Sequence, residues 1–125
     1  MRQIIFRGKR KDNGKWVYGF YALFASNKGL KHGIYTGAEN GCVIPYEVDP
    51  ETVGQFTGLC DKNGKKIFEG DIVKCLSLEY GYVNKEVYYS EDKAKFVLHS
   101  CGTDYEFDEY INVEVVGDIY DDKGF

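Results

Sequence analysis

Two of the residues best suited to act as nucleophile, base or soft metal ligand stand close together: His99 and Cys101, separated only by Ser100. On an extended strand, residues two apart point to the same face, so the spacing predicts an imidazole and a thiol side by side. Zinc needs four convergent nitrogen or sulfur ligands, and this pair supplies two. Cys42, Cys60 or Cys75 would have to be brought in by folding. No CxxC spacing fixes such a site in advance, so scattered reduced thiols are the default expectation, with no metal and no other cofactor; His99 and Cys101 stand as the candidate ligands. A cysteine–histidine catalytic dyad is a poorer account, because parallel i, i+2 side chains do not converge as groups from separate segments do. Asp61-Lys62-Asn63-Gly64 has the opening of a calcium loop without its later ligands, and reads as a turn. Asp104, Glu106 and Asp108 alternate with Tyr105 and Phe107. They form either a carboxylate row or the wet face of a strand, and the wet face is the simpler account.

A second kind of chemistry is electrostatic. Six of the first fifteen residues are basic: Arg2, Arg7, Lys9, Arg10, Lys11 and Lys15. From Asp104 to Asp122 the chain carries eight acids and no Lys or Arg. Opposite ends of this kind can attract within one fold or head to tail between subunits. Arg7, Lys9, Arg10, Lys11 and Lys15, with Trp16 for stacking, are the residues that would contact a partner or a nucleic acid. A net charge of −4 weighs against the nucleic-acid alternative.

Elements must position these groups. A chain of 125 residues can bury one core, so one domain is expected, with strands over 1–60 packed against a smaller unit over 61–125. Eleven Tyr and eight Phe with two Pro favour strands. Residues 3–7 read as a strand, and 11–15 turn into Trp16–Phe24, where Trp16, Tyr18 and Phe20 share a face and are expected in the core, with an aromatic binding platform as the alternative. Residues 25–41 read as a loop or a loose hairpin centred near His32-Gly33, and 42–48 as a strand in which Pro45 marks an edge or an early position. Asp49 is a good N-cap and Pro50 a good first helical residue, so a single short helical turn is expected near 50–53. Asn63-Gly64 is a strong hairpin signal. Strands follow at 72–76, 82–89, 95–99 and 113–120, with Val83, Val87 and Tyr89 on one face and Asn84 and Glu86 on the other. The fold class is therefore mostly β, with an SH3-like small barrel over about 66–121. The run Ile4-Ile5-Phe6 is far too short for a signal-peptide core or a membrane span, so a cytoplasmic protein without membrane contact is expected.

The chain resembles the YopX family of phage and prophage proteins. The resemblance is carried by Ile5-Phe6-Arg7, Asn13-Gly14-Lys15 with Val17-Tyr18-Gly19, the run from Val48 to Leu59, Asp61 to Lys65, Ile67 to Val73, and Val115 to Tyr120. Gly8 departs from the family pattern, which commonly has a small apolar residue there. The resemblance implies a mostly β fold and a mobile-element origin, and brings no catalytic residues with it. Without a convergent catalytic set, the leading expectation is a non-enzymatic binding or assembly protein. It would form a homo-oligomer or meet an unidentified protein partner. A small-barrel nucleic-acid binder using the basic hairpin is the alternative, and a metal-dependent enzyme built on His99 and Cys101 the third.

Overall fold

The computed structural model describes residues 3–37 and 43–121. The chain divides into two compact units, Met1–Phe56 and Thr57–Phe125. Its strands belong to two antiparallel sheets.

The first unit contains β1 (Phe6–Lys9), β2 (Trp16–Ser26), β3 (Gly29–Tyr35), β4 (Pro45–Glu47) and the start of β5 (Gly54–Cys60). Arg10 N–H donates to Lys15 O and Gly14 N–H to Arg10 O, closing the β1–β2 loop that Asn13-Gly14 announces. The strand expected over 3–7 instead spans Phe6–Lys9. Its register sets Arg7 opposite Tyr18 and Lys9 opposite Trp16, on one face. Gly8 lies on the other face, where a Cβ would come 3.0 Å from the Cβ of Val48, which is fully buried. A side chain at this position would require Val48 to give way by a few tenths of an ångström.

Of the stretch 25–41, residues 38–41 lie outside the described residues, and the hairpin that residues 25–35 join is not centred near His32-Gly33. Ser26 pairs with Gly29, so the turn is the two residues Asn27-Lys28, and His32 sits in the middle of β3 opposite Leu23. The Ser26 hydroxyl donates to Gly29 O at 2.8 Å and Gly29 takes a φ of 101°, which supplies the turn chemistry without an Asn-Gly pair. The part of the expected strand over 42–48 that includes Cys42 lies outside the described residues; Pro45–Glu47 pairs at its predicted edge position beside β3. Asp49 caps a 3-10 turn, Pro50–Thr52, by accepting from Glu51 N–H at 3.1 Å. Thr52 Oγ1 donates to Asp49 O (2.6 Å) and accepts from Lys9 N–H (2.9 Å), tying that turn to β1.

The second unit holds the rest of β5, β6 (Lys66–Phe68), β7 (Asp71–Ser77), β8 (Gly81–Ser90), β9 (Lys95–Ser100), β10 (Thr103–Tyr105) and β11 (Ile111–Asp118). The last five form an open antiparallel sheet in the order β10-β9-β8-β7-β11 rather than a closed SH3-like barrel. β10 and β11 stand at opposite edges; closure would require those edges to pair. A second 3-10 turn, Phe107–Glu109, joins them, so the helical turn at Pro50–Thr52 is not single. Period-two alternation places Val73, Cys75, Val87 and Leu98 on one face, where with Ile67 they form the buried cluster.

The Asp61 turn shows how sequence becomes packing. Its Oδ1 accepts from Asn63 N–H (2.8 Å) and Lys65 N–H (2.9 Å), while Oδ2 accepts from Val115 N–H of β11 (3.0 Å). Lys62 N–H donates to Val113 O at 2.9 Å. Burial pushes the Asp61 carboxyl up, but the N–H groups of Val115, Lys65 and Asn63 together with the Lys65 charge outweigh it and hold the group below the usual carboxylate range.

Candidate functional site

The basic amino-terminal residues are engaged by their own neighbours. Arg2 lies outside the described residues. The Arg7 side chain is buried, 5% exposed, with its guanidinium 4.1 Å from the centroid of Trp16. Lys9 Nζ lies 5.2 Å from the same ring. Arg10 donates from Nε to Asp12 Oδ1 at 2.9 Å and lies over Tyr46 at 4.3 Å. The hydrogen bond to Asp12 holds the guanidinium above its ordinary pKa and the Asp12 carboxyl below its own. Lys11 Nζ reaches Glu47 at 3.5 Å, and Lys31 reaches the same carboxylate at 3.6 Å. Lys15 donates its backbone N–H to Asn13 Oδ1 at 2.9 Å. The basic run in sequence is thus partly answered: Asp12 pairs with Arg10, Glu47 with Lys11 and Lys31, and Trp16 carries Arg7 and Lys9 over its ring.

The same face carries a feature that sequence reasoning assigned wrongly. Trp16, Tyr18 and Phe20 do share a face, but Tyr18 is 48% and Phe20 69% exposed, so this is not core packing. Ile4, 50% exposed, lies beside them. A groove of about 500 Å³ is lined by Gln3, Ile4, Ile5, Tyr18, Gly19 and Phe20, and among the described residues no charged side chain lines it. The nearly unbroken apolar run of β2 was the signal for it; only the layer above the sheet could say which part is covered. On the opposite face, Tyr21 and His32 stack with centroids 5.8 Å apart and share a hydrogen bond through the Tyr21 hydroxyl and His32 Nδ1.

His99 and Cys101 do not form a side-by-side pair on a strand. β9 ends at Ser100, which pairs with Thr103, leaving Cys101-Gly102 as a two-residue hairpin turn with φ of 51° and 79°. Positive φ at both central residues is the primed-turn geometry that suits strand twist, and it breaks the period-two spacing between His99 and Cys101. His99 instead joins the cross-strand row Glu86, His99, Asp104. Its Nδ1 lies 2.8 Å from Asp104 Oδ1, and its ring packs 4.9 Å from Tyr88. A carboxylate at Nδ1 fixes the imidazole's orientation.

The other carboxylates disperse. The backbone N–H of Glu106 donates to Glu109 Oε2 (2.6 Å), and Glu106 Oε1 pairs with Lys95. Asp104, Glu106 and Asp108 therefore do not make one row, because β10 stops at Tyr105 and the chain turns. Among the described residues no three His, Cys, Asp or Glu side chains converge as a metal ion would require. Cys60 and Cys101 are exposed and Cys75 is buried; burial raises the Cys75 thiol pKa against the nearby Lys85 charge. Lys85 itself, on the core-facing side of β8 between Val83 and Val87, is a further residue that the alternation could have singled out.

A family model described as YopX protein matches residues 5–124, nearly the whole chain. No curated protein matches it. Among the described residues no helix is long and apolar enough to cross a membrane.

Proposed function

The chain belongs to the YopX family, and from that premise we propose that it is a non-enzymatic binding and assembly protein of phage or prophage origin. It acts in the cytoplasm of the bacterial host by pairing with a second copy of itself. The observation that carries this reading is the exposed apolar strip of Ile4, Tyr18 and Phe20 on the first unit, which no charged side chain lines among the described residues. Aromatic and aliphatic side chains of this size are left in water when a partner is to cover them. A patch without charge is complementary to itself, which suits a two-fold contact between identical copies. The charge-driven, head-to-tail version is less well supported, since Arg10 and Lys11 already meet Asp12 and Glu47.

Sedimentation of the full chain tests this. The wild-type chain is expected to be a dimer at micromolar concentration, unchanged in high salt because the contact is apolar. Phe20→Ser with Tyr18→Ser is expected to be a folded monomer. A wild-type monomer, or a double variant that still dimerises, would sink the proposal. A dimer that dissociates as salt rises would return the contact to the charged ends of the chain.

A further inference from the structure

Lys85 points its ammonium into the aromatic side of the second unit. The residue is only 8% exposed, and it stands on the face of β8 that also contributes Val83 and Val87 to the core. Its Nζ lies 4.1 Å from the ring centroid of Tyr105 and 5.4 Å from that of Tyr110. Among the described residues no carboxylate lies within ion-pair distance of it. Two ring faces attract an ammonium, but they do not cancel its charge, and a buried charge is ordinarily paired.

A cavity of about 340 Å³ opens beside it, lined by Lys85, Tyr105, Tyr110, Val83 and the β7–β8 hairpin tip, residues 77–80. The tip is braced from within: Ser77 Oγ accepts from Glu79 N–H at 3.2 Å and from Tyr80 N–H at 3.3 Å, which leaves its O–H to donate. Tyr80 is largely exposed at the mouth. Glu79 and Glu109 also line the cavity and are solvent-exposed.

From these placements we propose that the cavity is a binding site for a small carboxylate with a flat apolar body, its carboxylate paired with the Lys85 ammonium. The rings of Tyr105, Tyr110 and Tyr80 supply the walls against which such a body packs. Glu79 and Glu109 repel a multiply charged anion such as phosphate more strongly than a monoanion, so they tilt the site toward the latter. The site is independent of the apolar strip on the first unit.

The test is an NMR titration of the full chain with benzoate, with benzamide as its neutral isostere and inorganic phosphate as the multiply charged competitor, all at constant ionic strength. Benzoate is expected to shift the Lys85, Tyr105 and Tyr110 side-chain signals saturably, with a dissociation constant on the order of 1 mM. Benzamide is expected to bind at least about tenfold more weakly, the scale of one lost charge-assisted bond. Lys85→Met should lose the benzoate response, and Tyr80→Ala, altered only at the exposed mouth, should weaken it several-fold. Lys74→Met, whose ammonium lies over Tyr82 instead, should leave it unchanged. The benzoate and benzamide comparison needs no variant, so it decides the matter even if Lys85→Met does not fold. Equal response to the two isosteres, tighter binding of phosphate, or no saturable shift would overturn the proposal and leave Lys85 held by its aromatic neighbours alone.

Discussion

The two units differ in how many apolar side chains they bury. In the second unit, Ile67, Val73, Cys75, Val87 and Leu98 are sealed together, and the partly buried rings of Tyr105, Phe107 and Tyr110 close over them. In the first unit, Ile34, Val48 and Phe56 are buried, while Tyr18, Phe20, Leu23 and Leu30 remain open to solvent. Both units leave apolar side chains in water, Leu78 and Tyr80 of the second among them, so the difference between the units lies in how much is buried. Apolar composition by itself does not separate a core from an interface; coverage does.

The sharpest way to break this comparison is to truncate a side chain in each unit. Leu98→Ala, at a site with no solvent exposure, is expected to cost about 2–5 kcal/mol in urea unfolding. Phe20→Ser is expected to stay within about 0.5 kcal/mol for the monomer, as for surface positions generally. Comparable losses from the two would mean that Phe20 is covered in solution by something within the same chain.

Polar anchoring gives the next effect. Asp61→Ala leaves the N–H groups of Asn63, Lys65 and Val115 without their acceptor and is expected to cost about 1–3 kcal/mol. The same carboxylate sets a pH dependence. Its folded pKa is lowered, so its stabilisation is fully present above the unfolded value of about 3.9 and is lost as pH falls through the lower folded value. Unfolding midpoints measured from neutral pH into this acid range should fall more steeply for the wild type than for Asp61→Asn. In the first unit, Thr52→Ala removes the hydroxyl between Lys9 N–H and Asp49 O, with an expected cost of about 1–2 kcal/mol by thermal unfolding.

Smaller effects mark the surface. Cys101→Asn should stabilise the β9–β10 turn by up to about 1 kcal/mol, since Asn tolerates a φ of 51° better than most residues. A loss would indicate that the thiol contributes a contact in solution. Glu47→Gln weakens the half-exposed pairs with Lys11 and Lys31 and should cost less than about 1 kcal/mol, with the difference shrinking as salt is added.

Local instructions in the chain determined much of what is observed. Asp49-Pro50 specified a capped 3-10 turn, Asn13-Gly14 and Asn63-Gly64 specified turns, and the alternation from Val83 to Val87 specified which face of β8 enters the core. These are short-range effects of capping, allowed φ and side-chain period, complete within a few residues. Tertiary structure decided the rest. Whether the sheet of residues 71–118 closes depends on whether its edge strands meet, which no local pattern encodes. Whether the row of Trp16, Tyr18 and Phe20 is core or surface depends on what is layered over it. Whether Arg7, Arg10 and Lys11 form a free basic patch depends on Asp12, Glu47 and the Trp16 and Tyr46 rings that folding brings to them. Coverage, closure and charge pairing are properties of residues distant in sequence, and for that reason they are settled only when the chain has folded.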